Sequence, residues 1–204
     1  MNSKNNRRLI GLTGGISTGK STVSKYLETK YKLQILDADI YARDAVKIGS
    51  PAIKAIASRY GESILLADGS LNRQQLGSIL FKDASERQWL EKQIHPYVRN
   101  AFEKEIDNSN PDIVIVVPLL FEAGMTDLVT EIWVVYCNPH QQLARLMERE
   151  SLTPEAAQSR INSQMPLKEK CDRADLILDN SSSLESLFKQ VDIAMLNPPP
   201  LPRQ

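Results

Sequence analysis

Three features of this 204-residue chain predict an α/β fold with a five-stranded parallel sheet between helical layers. Short apolar runs alternate with helical periods, the pattern of parallel strands joined by right-handed crossovers. The run Ile113-Val114-Ile115-Val116-Val117 is continuous and β-branched, as expected of a central strand buried on both faces. The first apolar run leads directly into a glycine-rich loop and then a helix.

Each element follows from local chemistry. Leu9 to Thr13 reads as the first strand. Lys20 to Lys30 reads as a helix, with Val23, Tyr26 and Leu27 at helical spacing. Leu33 to Leu36 is a second strand, closed by Asp37-Ala38-Asp39. Helices are expected over about 39–48 and 51–60, the latter with Ser50 as cap and Pro51 in its first turn. Asn72 to Phe81 forms another. Asp83-Ala84-Ser85-Glu86 has capping-box spacing and opens the next, which Pro96 should kink or restart. Val98, Phe102 and Ile106 supply its buried stripe.

After the strand at 113–117 come a fourth at Ile132 to Tyr136 and a fifth at Asp175 to Leu178. Asn138-Pro139 opens a helix reaching about Glu150, and Thr153-Pro154 opens one reaching about Ser163. A capping box at Ser182 to Glu185 starts the last helix, through Ala194. The helical stretch from about 40 to 108 is too long for one crossover and is expected as an insertion between the second and third strands. Residues 1–8 read as a mobile arm and the proline-rich 197–204 as a flexible tail.

Bulk properties narrow the class. Lys+Arg and Asp+Glu both number 25, so no net field draws the chain to nucleic acid or an anionic membrane. No apolar run is long enough to span a bilayer. The polar start lacks the apolar stretch of a signal peptide. Cys137 and Cys171 have no metal-ligand spacing and read as reduced thiols. A cytoplasmic protein is expected, and no motif specifies an oligomeric state.

The chemistry begins at Gly14-Gly15-Ile16-Ser17-Thr18-Gly19-Lys20-Ser21, a full Walker A pattern between a strand and a helix. Its glycines let backbone N–H groups curl toward phosphate oxygens, and the following helix adds its positive end. Lys20 is placed to bridge the β- and γ-phosphates of ATP, and the Ser21 hydroxyl to bind Mg²⁺. Thr22 completes the predicted nucleotide contacts. The competing reading is a turn that binds nothing; eight matching residues in the required context disfavour it.

In an open α/β sheet, ligands sit beyond the carboxyl ends of the strands. Asp37 and Asp39 follow the second strand there. Either Asp39 accepts a proton from an acceptor hydroxyl while Asp37 caps or supports Mg²⁺, or both are helix caps. Arg145 and Arg149 share a helix face after the fourth strand, with Arg160 and Lys168 further on. They read as lid cations over the phosphates or as a solvated face paired with Glu148 and Glu150. His95 is either an acceptor-side residue or a helix and core residue. Glu122 either meets acceptor or metal-bound water, or caps a loop. No Asn-Lys-x-Asp segment is present, which argues against a GTPase switch.

In order along the chain, these motifs resemble the dephospho-coenzyme A kinase family. The resemblance is carried by Ile10 to Ile16, Asp37-Ala38-Asp39, Leu71-Asn72-Arg73, His95-Pro96, Val117-Pro118-Leu119-Leu120-Phe121-Glu122, Gln142 with Arg145 and Arg149, Arg160-Ile161 with Gln164, and Ala174-Asp175 with Asn180. It implies a P-loop kinase with a nucleoside-monophosphate-kinase-like fold over 9–196. The core would span about 9–40, 110–140 and 174–196, a helical acceptor subdomain about 41–108, and a lid about 141–172. It implies ATP and Mg²⁺ as cofactors and dephospho-coenzyme A as the small-molecule partner. Asp39 would be the base, with Lys20 and Arg145 assisting transfer. Gly14, Gly15, Ser17, Thr18, Gly19, Lys20, Ser21, Thr22, Arg149 and Asn180 would bind the nucleotide, and Thr13, Asp39, His95 and Glu122 the acceptor. The family often has glycine at 17 and serine at 18, where this chain has Ser17 and Thr18.

Overall fold

Alternation of apolar strands with helices resolves into one five-stranded sheet in the computed structural model, which describes residues 7–109 and 111–197. Most of the expected N-terminal arm and proline-rich tail lies outside the described residues. The strands are β1 (Leu9–Gly14), β2 (Gln34–Asp37), β3 (Ile113–Val116), β4 (Glu131–Tyr136) and β5 (Leu176–Asp179), in the order β2-β3-β1-β4-β5. β1 pairs in parallel with β3 and β4, and β4 with β5. The β-branched run forms β3, buried throughout. It is interior rather than central, because β1 takes the middle place. The chain winds one way from β1 and then the other at β4, so the switch point lies at the carboxyl end of β1, where the glycine loop begins.

The helices are α1 (Lys20–Tyr31), α2 (Ala38–Ala45), α3 (Pro51–Tyr60), α4 (Arg73–Lys82), α5 (Ala84–Asn108), α6 (Pro139–Glu150), α7 (Pro154–Asn162), α8 (Leu167–Asp172) and α9 (Leu184–Leu196). Contacts divide the chain into two compact units, Asp37–Asn108 and the remainder. In the sheet unit, Ile10, Leu12, Val114, Val116, Trp133 and Val135 meet Val23 and Leu27 of α1 and Leu187 and Val191 of α9. In the helical unit, Val46, Ile53, Ile56, Ile64, Leu71, Leu76 and Leu90 close a separate core.

Several local expectations change. Arg8, expected in a mobile arm, is held: its guanidinium donates to both oxygens of Glu131 at 2.6 and 3.0 Å and lies 5.7 Å from the Trp133 ring centre. Arg7 donates to the Pro111 carbonyl. Helix α5 runs unbroken through Pro96. Burial of Leu90, Val98 and Phe102 on either side offsets the lost hydrogen bond. The capping box at 83–86 is open: Asp83 accepts from Ser85 N–H, but Glu86 is drawn away to Arg59 and Tyr60. The last cap is Ser183 rather than Ser182, its hydroxyl accepting from Ser186 N–H at 3.2 Å. Helix α8 was not foreseen from the sequence.

Candidate active site

The loop after β1 is built from both its neighbours. Gly14 sits at φ 147° and Gly19 at φ 108°, backbone that side-chain-bearing residues rarely adopt. A Cβ at Gly19 would overlap Asn180 Nδ2, and one at Gly15 would overlap Gln142 Nε2. These close approaches are hydrogen-bonding clips. Asn180 Nδ2 donates to the Thr18 carbonyl at 2.8 Å and Gln142 Nε2 to the Ile16 carbonyl at 2.9 Å. Gln164 Oε1 accepts from Ile16 N–H at 3.0 Å, and the buried Thr18 hydroxyl donates to the Gly15 carbonyl at 2.9 Å. The Gly15, Ile16 and Thr18 carbonyls thus all have donors, which fix the curl of the loop that a phosphate would meet.

Gly19 begins α1 with no capping side chain, so the positive helix end carries no competing carboxylate. Lys20 Nζ folds back on the Gly14 and Gly15 carbonyls at 3.1 and 2.7 Å. Thr22 lies in the first turn, its N–H donating to the Gly19 carbonyl at 3.0 Å. Ser21 is exposed in that turn. Among the described residues, no group of three or more His, Cys, Asp or Glu is placed to hold a metal. A single exposed hydroxyl beside a phosphate loop fits a Mg²⁺ that arrives on a nucleotide, and does not amount to a standing all-protein cage.

The arginines divide. Arg145 Nη2 donates to the Asn180 carbonyl at 3.1 Å, so α6 carries it to the residue that clips the phosphate loop. It also opposes the upward push that burial gives the Cys137 thiol pKa. Arg149 pairs with Glu150 at 2.6 Å, and Arg160 joins the same carboxylate. That is the solvated, carboxylate-paired arrangement. Asn180, expected to touch the nucleotide, has Nδ2 engaged on Thr18 and only 5% of its surface exposed. Thr13, expected to touch the acceptor, is fully buried and donates to the Pro118 carbonyl at 3.2 Å. It therefore supports the chain beyond β3.

That segment also holds Glu122. Its Oε1 accepts from Met165 N–H at 3.0 Å and lies 2.9 Å from Lys170 Nζ. Lys170 has no exposed surface and donates as well to the Pro118 carbonyl at 2.9 Å. Sequence reasoning missed Lys170. The available signal was its place in an otherwise polar stretch just before β5, which hydropathy scores as surface.

In the helical unit, Asp37 caps α2 by accepting from Asp39 N–H at 2.9 Å, as one sequence reading had it. Burial raises the Asp37 pKa, and the hydrogen bond from Asp39 N–H opposes that shift. Asp39 is exposed. His95 is half-buried within α5, immediately before Pro96.

Phosphate loop, switch-point position and inserted helices together define a P-loop kinase. Residues 8–186 match the family described as Dephospho-CoA kinase, and the chain belongs to that family. It is 64% identical over 190 residues to Dephospho-CoA kinase of Trichormus variabilis, covering 93% of this chain and 97% of that protein. The solved structure of dephospho-CoA kinase from Campylobacter jejuni superposes with a TM-score of 0.70 at 25% identity, covering 94% of this chain and 96% of the other. Shikimate kinase from Bacteroides thetaiotaomicron shares the fold at a TM-score of 0.53 and 15% identity, covering 93% and 97% of the two chains.

Proposed function

We propose that this enzyme transfers the γ-phosphate of ATP to the ribose 3′-hydroxyl of dephospho-coenzyme A, giving coenzyme A and ADP in the cytoplasm. The observation that carries this reading is the family match across residues 8–186, which includes the complete, clipped phosphate loop.

Phosphoryl transfer asks a protein mainly for positioning and for charge at the transferring group. The loop amides and the end of α1 receive the phosphates. Lys20 exchanges its loop carbonyls for β- and γ-phosphate oxygens. Ser21 would hold the Mg²⁺, which would neutralise phosphate charge. Arg145 adds a cation from α6, and Arg149 one that must first leave Glu150. Glu122 and His95 belong to the acceptor side. Asp39 orients the acceptor hydroxyl and takes its proton. Orientation counts for more than proton affinity in this role, because a loose transition state releases that proton late. The helical unit supplies the acceptor subdomain, and α6 to α8 the lid.

A coupled ATP-consumption assay with dephospho-coenzyme A, beside adenylate, gluconate and shikimate, tests the assignment. Turnover confined to dephospho-coenzyme A is expected; folded protein that fails to turn it over would refute the proposal. Asp39→Asn should lower kcat by ~10²-fold or more, the range for a positioned proton acceptor. ATP affinity should stay near normal. Near-normal turnover would reduce Asp39 to a structural residue.

A further inference from the structure

Lys170 is the one buried lysine among the described residues, with 0% of its surface exposed. Burying an ammonium costs several kcal/mol unless its partners are well placed. An apolar side chain of similar length would fill the same space without that cost. What the ammonium adds is direction. It reaches the Pro118 carbonyl and Glu122 Oε1, each at 2.9 Å. Both acceptors lie in the segment that leaves the carboxyl end of β3, beside the strand that feeds the phosphate loop.

The two carboxylate oxygens of Glu122 are treated differently. Oε1 is committed to Lys170 and to Met165 N–H. Oε2 has no hydrogen bond among the described residues, and a quarter (25%) of the Glu122 side chain is exposed. One oxygen is anchored, and the other makes no hydrogen bond within the described residues. The next residue back, Gln164, accepts from Ile16 N–H in the phosphate loop. The consecutive residues Gln164 and Met165 thus join the loop to the Glu122 carboxylate.

We propose that Lys170 is a positioning residue for transfer: acting through Glu122, it fixes a carboxylate oxygen that receives a hydroxyl of the acceptor. The proposal rests on the acceptor reading given above. Without Lys170 only the Met165 N–H still holds Oε1, and misplacement of the carboxylate by about 1 Å can cost ~10²-fold in rate.

Steady-state kinetics test this on wild type, Lys170→Gln, Glu122→Gln and the double variant, with folding checked by circular dichroism. Lys170→Gln keeps an N–H donor for Pro118 and removes the charge. It should lower kcat/KM for dephospho-coenzyme A by ~10²-fold while the KM for ATP stays within about twofold. The double variant should be no slower than Glu122→Gln alone, because both changes remove one interaction. Losses that multiply, or a KM for ATP rising in step with that for the acceptor, would overturn the proposal. Should Lys170→Gln fail to fold, the double variant, which leaves no unpaired carboxylate, is read against Glu122→Gln. Equal rates support the proposal; a further tenfold loss, or a double variant that also fails to fold, overturns it. Absence of wild-type turnover would sink the acceptor reading and this inference together, whereas multiplied losses in an active enzyme sink this inference alone.

Discussion

Replacing Gly19 by alanine would set two costs against the phosphate loop at once. The position lies at φ 108°, and the added methyl would overlap the Asn180 amide that clips Thr18. A non-glycine residue forced into such backbone costs ~1–3 kcal/mol, and an orphaned buried carbonyl a similar amount. Gly19→Ala should therefore lower stability by about 2–6 kcal/mol. It should also raise the KM for ATP by tenfold or more; an unchanged KM would separate the clip from nucleotide binding. Two residues earlier the sign reverses. Ser17 is held at φ 59°, and its hydroxyl is buried without a hydrogen-bond partner among the described residues. Left-handed backbone costs a side-chain-bearing residue ~1–2 kcal/mol, which explains why glycine suits this position. Ser17→Gly should raise stability by about 1 kcal/mol in urea titrations, the strain relief exceeding the entropy glycine adds to the unfolded chain. A lower urea midpoint would show that the hydroxyl is engaged.

Among the elements, α3 and α5 are tied by a charged contact whose pH dependence has a definite sign. Arg59 donates to both oxygens of Glu86 at 2.7 Å, and the Tyr60 hydroxyl donates to the same carboxylate. These bonds, Arg59 first, hold the Glu86 pKa down at about 2 from its ordinary 4.5. A depressed carboxylate contributes stability above its unfolded pKa and loses it as pH falls through the folded value. The gap in urea midpoint between wild type and Glu86→Gln should be constant above about pH 5 and shrink between 4.5 and 2. A gap that does not change with pH would show that the pair is too screened by solvent to matter. The same contact shows what local sequence rules leave out. Capping-box spacing at 83–86 is a property of four residues, but Glu86 answers to α3, 27 positions away. Strands and most helices were legible because burial writes itself into apolar period, as in the β-branched run of β3. Helix α8 was not legible, because its one fully buried side chain is a lysine. The phosphate loop could be read from spacing alone. The Lys170–Glu122 pair could not, since neither residue marks the other along the chain.

At the scale of the molecule, each unit closes an apolar core of its own, around Trp133 and Leu187 in one and Ile56 and Ile64 in the other. A ligand stabilises the states it binds and suppresses the openings that abolish its site. Protection from hydrogen exchange therefore maps which unit a ligand holds, because cooperative openings follow compact units. A non-hydrolysable ATP analogue with Mg²⁺ should slow exchange at Gly14 to Thr22 and in α6, with smaller changes over 37–108. Dephospho-coenzyme A alone should slow exchange in α2 to α5 and around Glu122, leaving the phosphate loop near its free rate. Both together should add protection in α7 and α8 beyond the sum of the separate effects, because Gln164 and Met165 engage Ile16 on one side and Glu122 on the other. Simple additivity would leave the nucleotide and acceptor sites thermodynamically independent. Protection of 37–108 by nucleotide alone would move the acceptor subdomain out of the helical unit, and with it the roles given to Asp39 and His95.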